Sequence, residues 1–306
     1  MQPLRAIGYK LLSVALLMTM SALIKATADE VPTGEAVFFR SFFALPVILV
    51  WLAATGSLRA GLSTGSPRAH LLRGLVGVGG MALTFSALGM LPLPEITAIL
   101  YAAPLLVVIL AAMFLGEQVR AFRFGAVGLG LLGVLIVLSP RLGEAVAAPD
   151  LRHSLGATLA LGAALLSAMT QIFVRNMVRT ETVSSIVFYF HLTAATLSLL
   201  TIPWGWVMPA PFVLVLLVSA GLLGGVGQIL MTAAYRHADA SLVAPFEYFS
   251  MLLALTFGYF VFHEVPTRTT LTGAALVILA GILIIWRERQ LGLDLAGPRS
   301  ARTPDG

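Results

Sequence analysis

The chain has 306 residues, of which 58% are hydrophobic and only 11% charged, with a mean hydropathy of +0.96. An ordinary soluble domain carries about 25% charged residues, and a soluble chain of this composition lacks the polar surface to cover its core. A soluble enzyme, a disordered protein and a nucleic-acid binder are therefore excluded as overall classes. The net charge of +5 comes from single basic residues between apolar runs, not from a basic face.

There is no cysteine, and the five histidines stand apart. Neither a metal nor a cofactor is expected. Crossing the hydrocarbon core takes about 20 mostly apolar residues. Ten such stretches follow one another, at 8–26, 35–55, 72–91, 95–115, 123–139, 155–175, 183–203, 211–235, 240–262 and 269–286. The predicted fold class is an all-α integral membrane protein with ten transmembrane helices. Pro92, Pro94, Pro140, Pro203, Pro209, Pro211 and Pro266 mark the breaks.

Span 1 imitates a cleavable signal peptide: Arg5 and Lys10, an apolar run from Leu11 to Ile24, then Ala26-Thr27-Ala28. The repeat described below needs this helix, so it is read as a span that is kept. Lys25 closes it, with Ser21 one turn earlier, and either snorkels or lines an outer mouth. Arg40 in span 2, beside Phe38, Phe39, Phe42 and Phe43, is either a counter-charge for a substrate carboxylate or phosphate, a member of a buried ion pair, or an anchor that snorkels to the interface. Gly77 and Gly80 in span 3 and Gly221, Gly224 and Gly225 in span 8 are small-residue faces, expected to bring helices 3 and 8 close together.

Glu95 opens span 4, and Tyr101 and Pro104 follow it. Gly128, Gly130 and Gly133 in span 5 match G-x-G-x-x-G, but inside an apolar span they read as a packing face. Gln171 in span 6 and Gln228 in span 8 sit on polar faces that bind either a ligand or another helix. His191 in span 7 is either a packed histidine or a proton relay. Glu247 lies about two turns into span 9 with no local partner. It is read as a proton carrier, a contact for a substrate cation or a structural partner. The end, 287–306, is polar and expected to be a disordered cytoplasmic tail.

The halves of the chain resemble each other. Gly116-Glu117 ends span 4 as His263-Glu264 ends span 9, and the same offset of 147 pairs Tyr101 with Tyr248 and Gly80 with Gly227. Phe38-Phe39 falls on Phe188-Tyr189 at an offset of 150. Spans 1–5 (8–139) thus repeat as spans 6–10 (155–286). Five is odd, so the second copy enters the membrane inverted, as in alternating-access transporters. Tyr101 and Tyr248 then flank a midplane cavity or simply pack.

These residues carry a resemblance to the EamA-type branch of the drug/metabolite transporter superfamily. It rests on Pro104-Leu105, Gly116-Glu117, Gly125 and Gly133, with Ala244 to Tyr248, Phe262 to Pro266, Gly273 and Gly281 as their counterparts. It departs at His263, which replaces the usual Gly before Glu264. The resemblance implies a secondary carrier whose central cavity is lined by helices 1, 3, 4, 6, 8 and 9. Its solute would be a small metabolite, amino-acid-like, vitamin-like or nucleoside-like. The alternatives are an exporter of toxic amphiphiles, and then a membrane enzyme or channel, for which the sequence offers neither a metal or Ser/His motif nor a repeated polar lining. The expected partners are the lipid bilayer and the solute, with the chain a monomer or homodimer.

With the N-terminus placed in the cytoplasm, the inner segments hold fourteen Lys and Arg and the outer ones four. Both ends are therefore predicted to be cytoplasmic, in a bacterial inner membrane. Reporter fusions after Ser63 and Glu181 should report the cytoplasm, and fusions after Gly143 and Gly205 the periplasm. Reversal of any two would sink this topology.

Overall fold

A computed structural model describes residues 3–115, 121–147, 151–177, 180–237 and 244–290. Among them every regular element is helical, as lipid requires of a backbone that must satisfy its own polar groups. Spans 1 and 2 are α1 (Pro3–Thr27) and α2 (Thr33–Ala54). The short α3 (Leu58–Leu62) leads into α4 (Pro67–Leu88), which is span 3. Span 4 is two pieces, α5 (Leu93–Leu100) and α6 (Ala102–Leu115). Spans 5 to 8 are α7 (Ala121–Ala147), α8 (Leu151–Met177), α9 (Val183–Leu199) and α10 (Pro211–His237). Span 9 is a 3-10 turn (Ala244–Tyr248) running into α11 (Phe249–Phe262), and span 10 is α12 (Arg268–Gln290).

The fold is ten transmembrane helices in two inverted five-helix repeats. Among the described residues seven helices have both the length and the apolarity to cross a membrane, and Phe124–Pro140, Val183–Leu199 and Phe246–Phe262 supply the shorter three. The packing obeys a pseudo-twofold axis. α4 of the first half lies on α8 of the second, just as α10 of the second lies on α1 of the first. α2 packs on its own counterpart α9, and α7 on α12. Neither half forms a bundle of its own; α1, α2, α4 and α7 each pack mainly against helices of the other half. Trp204 near one membrane face and Trp286 near the other are half or more exposed, as interfacial anchors are.

This pattern corrects the expected crossing of helices 3 and 8. A Cβ on Gly77 would meet the Phe190 ring of α9 at 2.9 Å, and one on Gly80 would meet Leu166 of α8 at 3.2 Å. On α10, Gly221 faces Phe43, Gly224 faces Met20 and Gly225 faces the α2 backbone at Ala44. The two glycine faces therefore receive partners from opposite repeats rather than each other. The G-x-G-x-x-G run divides as well. Gly128 faces open space, whereas a Cβ on Gly133 would lie 2.6 Å from the Gly273 carbonyl oxygen across the α7–α12 crossing. The tail reading meets helix as far as Gln290; residues 291–306 lie outside the described residues.

Backbone cannot move aside as a side chain tip can. Gly133→Leu should therefore lower the melting temperature of the detergent-solubilised protein by several degrees, an overpacking cost of about 1–3 kcal/mol. Gly128→Leu should leave it within about a degree, because its Cβ meets nothing. Equal sensitivity at both positions would refute this assignment of the crossing.

Candidate functional site

Spans 4 and 9 are both interrupted, and a tyrosine stands at each interruption. Pro104 has no N–H for the Leu100 carbonyl, so α5 stops at Leu100, and Tyr101 forms the joint to α6. In span 9 Tyr248 ends the 3-10 turn and caps α11. The two rings meet edge to face, 5.3 Å apart at 78°. Ser250 gives its hydroxyl proton to the Glu247 carbonyl at 2.7 Å, so Tyr101 Oη donates to Ser250 Oγ at 2.6 Å. The Tyr248 phenol lies against Gly281 of α12, where any Cβ would collide with it. The repeat-related tyrosines thus touch each other instead of standing on opposite walls.

Glu247 has a partner that the sequence reading did not supply. Lys10 of α1 binds the Glu247 carboxylate, Nζ to Oε2. The Lys10 side chain is 0% exposed, while that of Glu247 is 43% exposed. One end of the pair is sealed in the protein and the other remains open to an incoming group. One turn along α1, Ser13 Oγ donates to the Gly227 carbonyl at 2.7 Å, which holds α1 against α10 here. In the sequence Lys10 reads as a topology charge of the inner end. Its place seven residues into an unbroken helix, with Ser13 on the same face, is the signal that separates it from a loop lysine.

Arg40 and His191 lie in a second cluster. Arg40 Nη1 reaches Met81 Sδ at 3.2 Å and His191 Nδ1 at 3.5 Å. It is 4% exposed and is not ion-paired to a described carboxylate. Arg73 of α4 joins it, one of the fourteen basic residues counted toward the inner segments. Its guanidinium carbon lies 3.9 Å from the centre of the Phe190 ring, and that of Arg40 lies 5.9 Å from the same ring. Arg73, Gly77 and Met81 share one helical face, the pattern from which this cluster was readable.

Gln171 and Gln228 enter neither cluster. Gln171 is exposed on α8, and Gln228 lies beside Ile48, Trp51 and Val187 in a small cleft between α2, α9 and α10. Lys25, read as snorkelling or lining a mouth, instead saturates all three donors. It gives hydrogen bonds to the Leu88 and Leu91 carbonyls at 3.1 and 2.6 Å and an ion pair to Glu264 at 2.9 Å. The other Glu264 oxygen accepts from the Leu93 amide at 2.8 Å. His263, at φ 56°, makes the turn that brings Glu264 back to this point, and its left-handed backbone is where the resemblance expects glycine. The matching Glu117 lies outside the described residues.

Opposite this latch, at the other membrane face, Glu181 accepts from Thr64 Oγ1 at 3.0 Å and from the Gly65 and Ser66 amides at 2.9 Å, with His70 Nε2 3.4 Å away. Burial pushes the Glu181 carboxyl up, but the bonds from Thr64, His70 and Gly65 outweigh it and hold it below the usual carboxylate range. Its share of the stability is therefore present at neutral pH and is lost only as pH falls through that depressed value.

Both halves of the chain, residues 4–139 and 154–286, match the EamA-like transporter family. The S-adenosylmethionine uptake transporter of Rickettsia bellii is 30% identical over 93% of this chain and 94% of its own length. The riboflavin transporter of Vibrio cholerae is 30% identical over 85% of each chain. The pseudopaline exporter of Pseudomonas aeruginosa is 28% identical over 87% of this chain and 90% of its own. A solved crystal structure covering 94% of this chain and 98% of its own superposes with a TM-score of 0.66 at 22% identity, which shows the shared fold. The chain belongs to the EamA-like transporter family and is a multi-pass membrane transporter of small metabolites.

The Lys10–Glu247 pair should behave as a unit. Lys10→Met and Glu247→Gln should each lower the melting temperature, Lys10→Met the less because water reaches the Glu247 it leaves behind. The double variant should recover most of the loss, with a coupling in the range of about 0.5–3 kcal/mol. Additive losses would show that the two side chains do not depend on each other.

Proposed function

We propose that the chain is an alternating-access carrier for a metabolite with an N–H-bearing heteroaromatic ring. That ring would be held at the joint of the two broken spans, in a bacterial inner membrane with both chain ends in the cytoplasm. The observation that carries this reading is Glu247, an open carboxylate flanked by Tyr248 and fixed from behind by the sealed Lys10. An aromatic face beside a carboxylate suits a flat ring whose exocyclic or imide N–H donates to the acid. S-adenosylmethionine and riboflavin, the solutes in two relatives' names, both carry such rings.

Inverted repeats, here taken as 8–139 and 155–286, supply the movement. When the halves rock about their shared seam, contacts at one membrane face part while those at the other form. The Lys25–Glu264 latch closes what the charge bias makes the outer face. Two further contacts join the halves there, Arg152 to Asp29 at 3.0 Å and the Val207 amide to Glu35 at 3.0 Å. At the opposite face the accessible Glu247 is left open to solute.

Purified protein in liposomes, preloaded with unlabelled solute, should accumulate labelled S-adenosylmethionine or riboflavin by saturable counterflow. Tyr248→Ala should cut the rate about tenfold or more, the worth of one ring stacked on an aromatic side chain. Flux that is linear in solute, or no flux with either compound, would overturn this reading.

A further inference from the structure

Resting on the carrier reading above, we propose that Arg40, Arg73 and His191 form a second subsite, which takes the carboxylate of the transported solute. Three other cations at the seam of the repeats have a carboxylate set against them: Lys10 with Glu247, Lys25 with Glu264, and Arg152 with Asp29. Arg40 and Arg73 do not. Two guanidinium cations share the ring of Phe190, and no described carboxylate touches either. A cation–π contact returns only part of what a desolvated cation loses.

The polar atoms around this ring are also unsatisfied. Arg40 Nε, Arg73 Nε and Nη1, and His191 Nε2 are buried without a hydrogen-bond partner. So is Thr170 Oγ1, which adjoins Gly77 beside Phe190. Arg40 is 4% exposed and His191 0%, so bulk solvent does not reach them. Five unsatisfied atoms at one place make a built site whose missing partner is an acceptor. Arg40 Nη1 now has only a thioether, Met81 Sδ, and a distant imidazole nitrogen. A carboxylate outbids a thioether sulfur at a guanidinium fork.

Room for it comes from methionine. Met81 contacts Arg40 directly, and Met20 and Arg40 both border Gly224. Unbranched thioether chains re-pack at low cost, so they can fill the space when it is empty and leave when it is occupied. The elements that meet here come from both halves: α2 and α4 from the first, α8 and α9 from the second. An acid bound among them is therefore held by both repeats and by neither alone.

The test uses the full chain in lipid nanodiscs and two probe pairs that differ only in the carboxylate. These are S-adenosylmethionine with its decarboxylated analogue, and L-phenylalanine with 2-phenylethylamine. Wild type should prefer the acid of at least one pair by about 10- to 100-fold, the worth of charge-assisted hydrogen bonds. Arg40→Gln and Arg73→Gln should each shrink that preference below about threefold and leave the affinity for the decarboxylated partner within about twofold. Should Arg40→Gln fail to fold, Arg40→Lys is read instead; keeping charge without the fork, it should lose roughly tenfold of the preference. An unchanged preference in these variants overturns the subsite. So does a wild type that ignores the carboxylate while still showing riboflavin counterflow, and in that case the carrier reading stands. Absence of both binding and counterflow overturns the two together.

Discussion

A charge held in hydrocarbon needs a counter-group, and in this molecule the counter-group comes from the other half of the chain. Lys10 of α1 meets Glu247 of span 9, and Lys25 meets Glu264 beyond α11. Glu35 of α2 accepts from Val207, and Glu181 collects Thr64, Gly65 and Ser66. Each contact joins a residue before the middle of the chain to one after it. Polar contacts recur along the seam between repeats, where they sit within an extensive apolar packing of the two halves.

The contacts differ in how readily water replaces them. Lys25 and Glu264 are both largely buried, with side-chain exposures of 12% and 17%, whereas Glu247 stays 43% exposed. Lys10 has no such access and remains tied to α10 through its neighbour Ser13. Glycine contributes at the same seam. Gly221, Gly224 and Gly225 let α10 approach α1 and α2, and Gly133 and Gly273 bring the α7 and α12 backbones into contact. Where the helices must pass closest there is no side chain to catch.

Much of this was legible in the sequence, and the exceptions share a cause. Span number, inversion of the halves and the tyrosine correspondence follow from composition and from offsets of 147 and 150. Glu247, Arg40 and His191 stand out because polar residues are rare in spans. Lys10 and Arg73 do not, because each lies near a span end, where a basic residue ordinarily reports topology and long side chains reach the interface. Only the packing of α1 on α10, and of α4 on α9, turns them inward. The partnering of the glycine faces was illegible for a related reason. A small-residue stripe says that something approaches closely, but an inverted repeat offers two candidates, and the swapped one is realised. At His263 the departure from glycine looked like a loss of motif; the backbone shows the motif's geometry kept, with φ at 56° and Glu264 returned to Lys25.

The two charged clusters are strung along one line. On α1, Lys10, Ser13, Leu17 and Met20 recur at helical spacing. The last three lie against α10 at Gly227 and Gly224. Arg40 borders the same Gly224. From Lys10 to Met20 the helix rises about 15 Å, so the open carboxylate of Glu247 and the unsatisfied guanidinium of Arg40 lie at different depths along α1. One end of that line offers an acceptor beside aromatic rings and the other offers donors without acceptors. A solute with a heterocycle at one end and an acid at the other would satisfy both ends at once. An amine lacking the acid would leave the arginines as they are. Selectivity would then reside in the cluster that the free protein leaves incomplete, because unsatisfied buried donors penalise every solute that does not complete them.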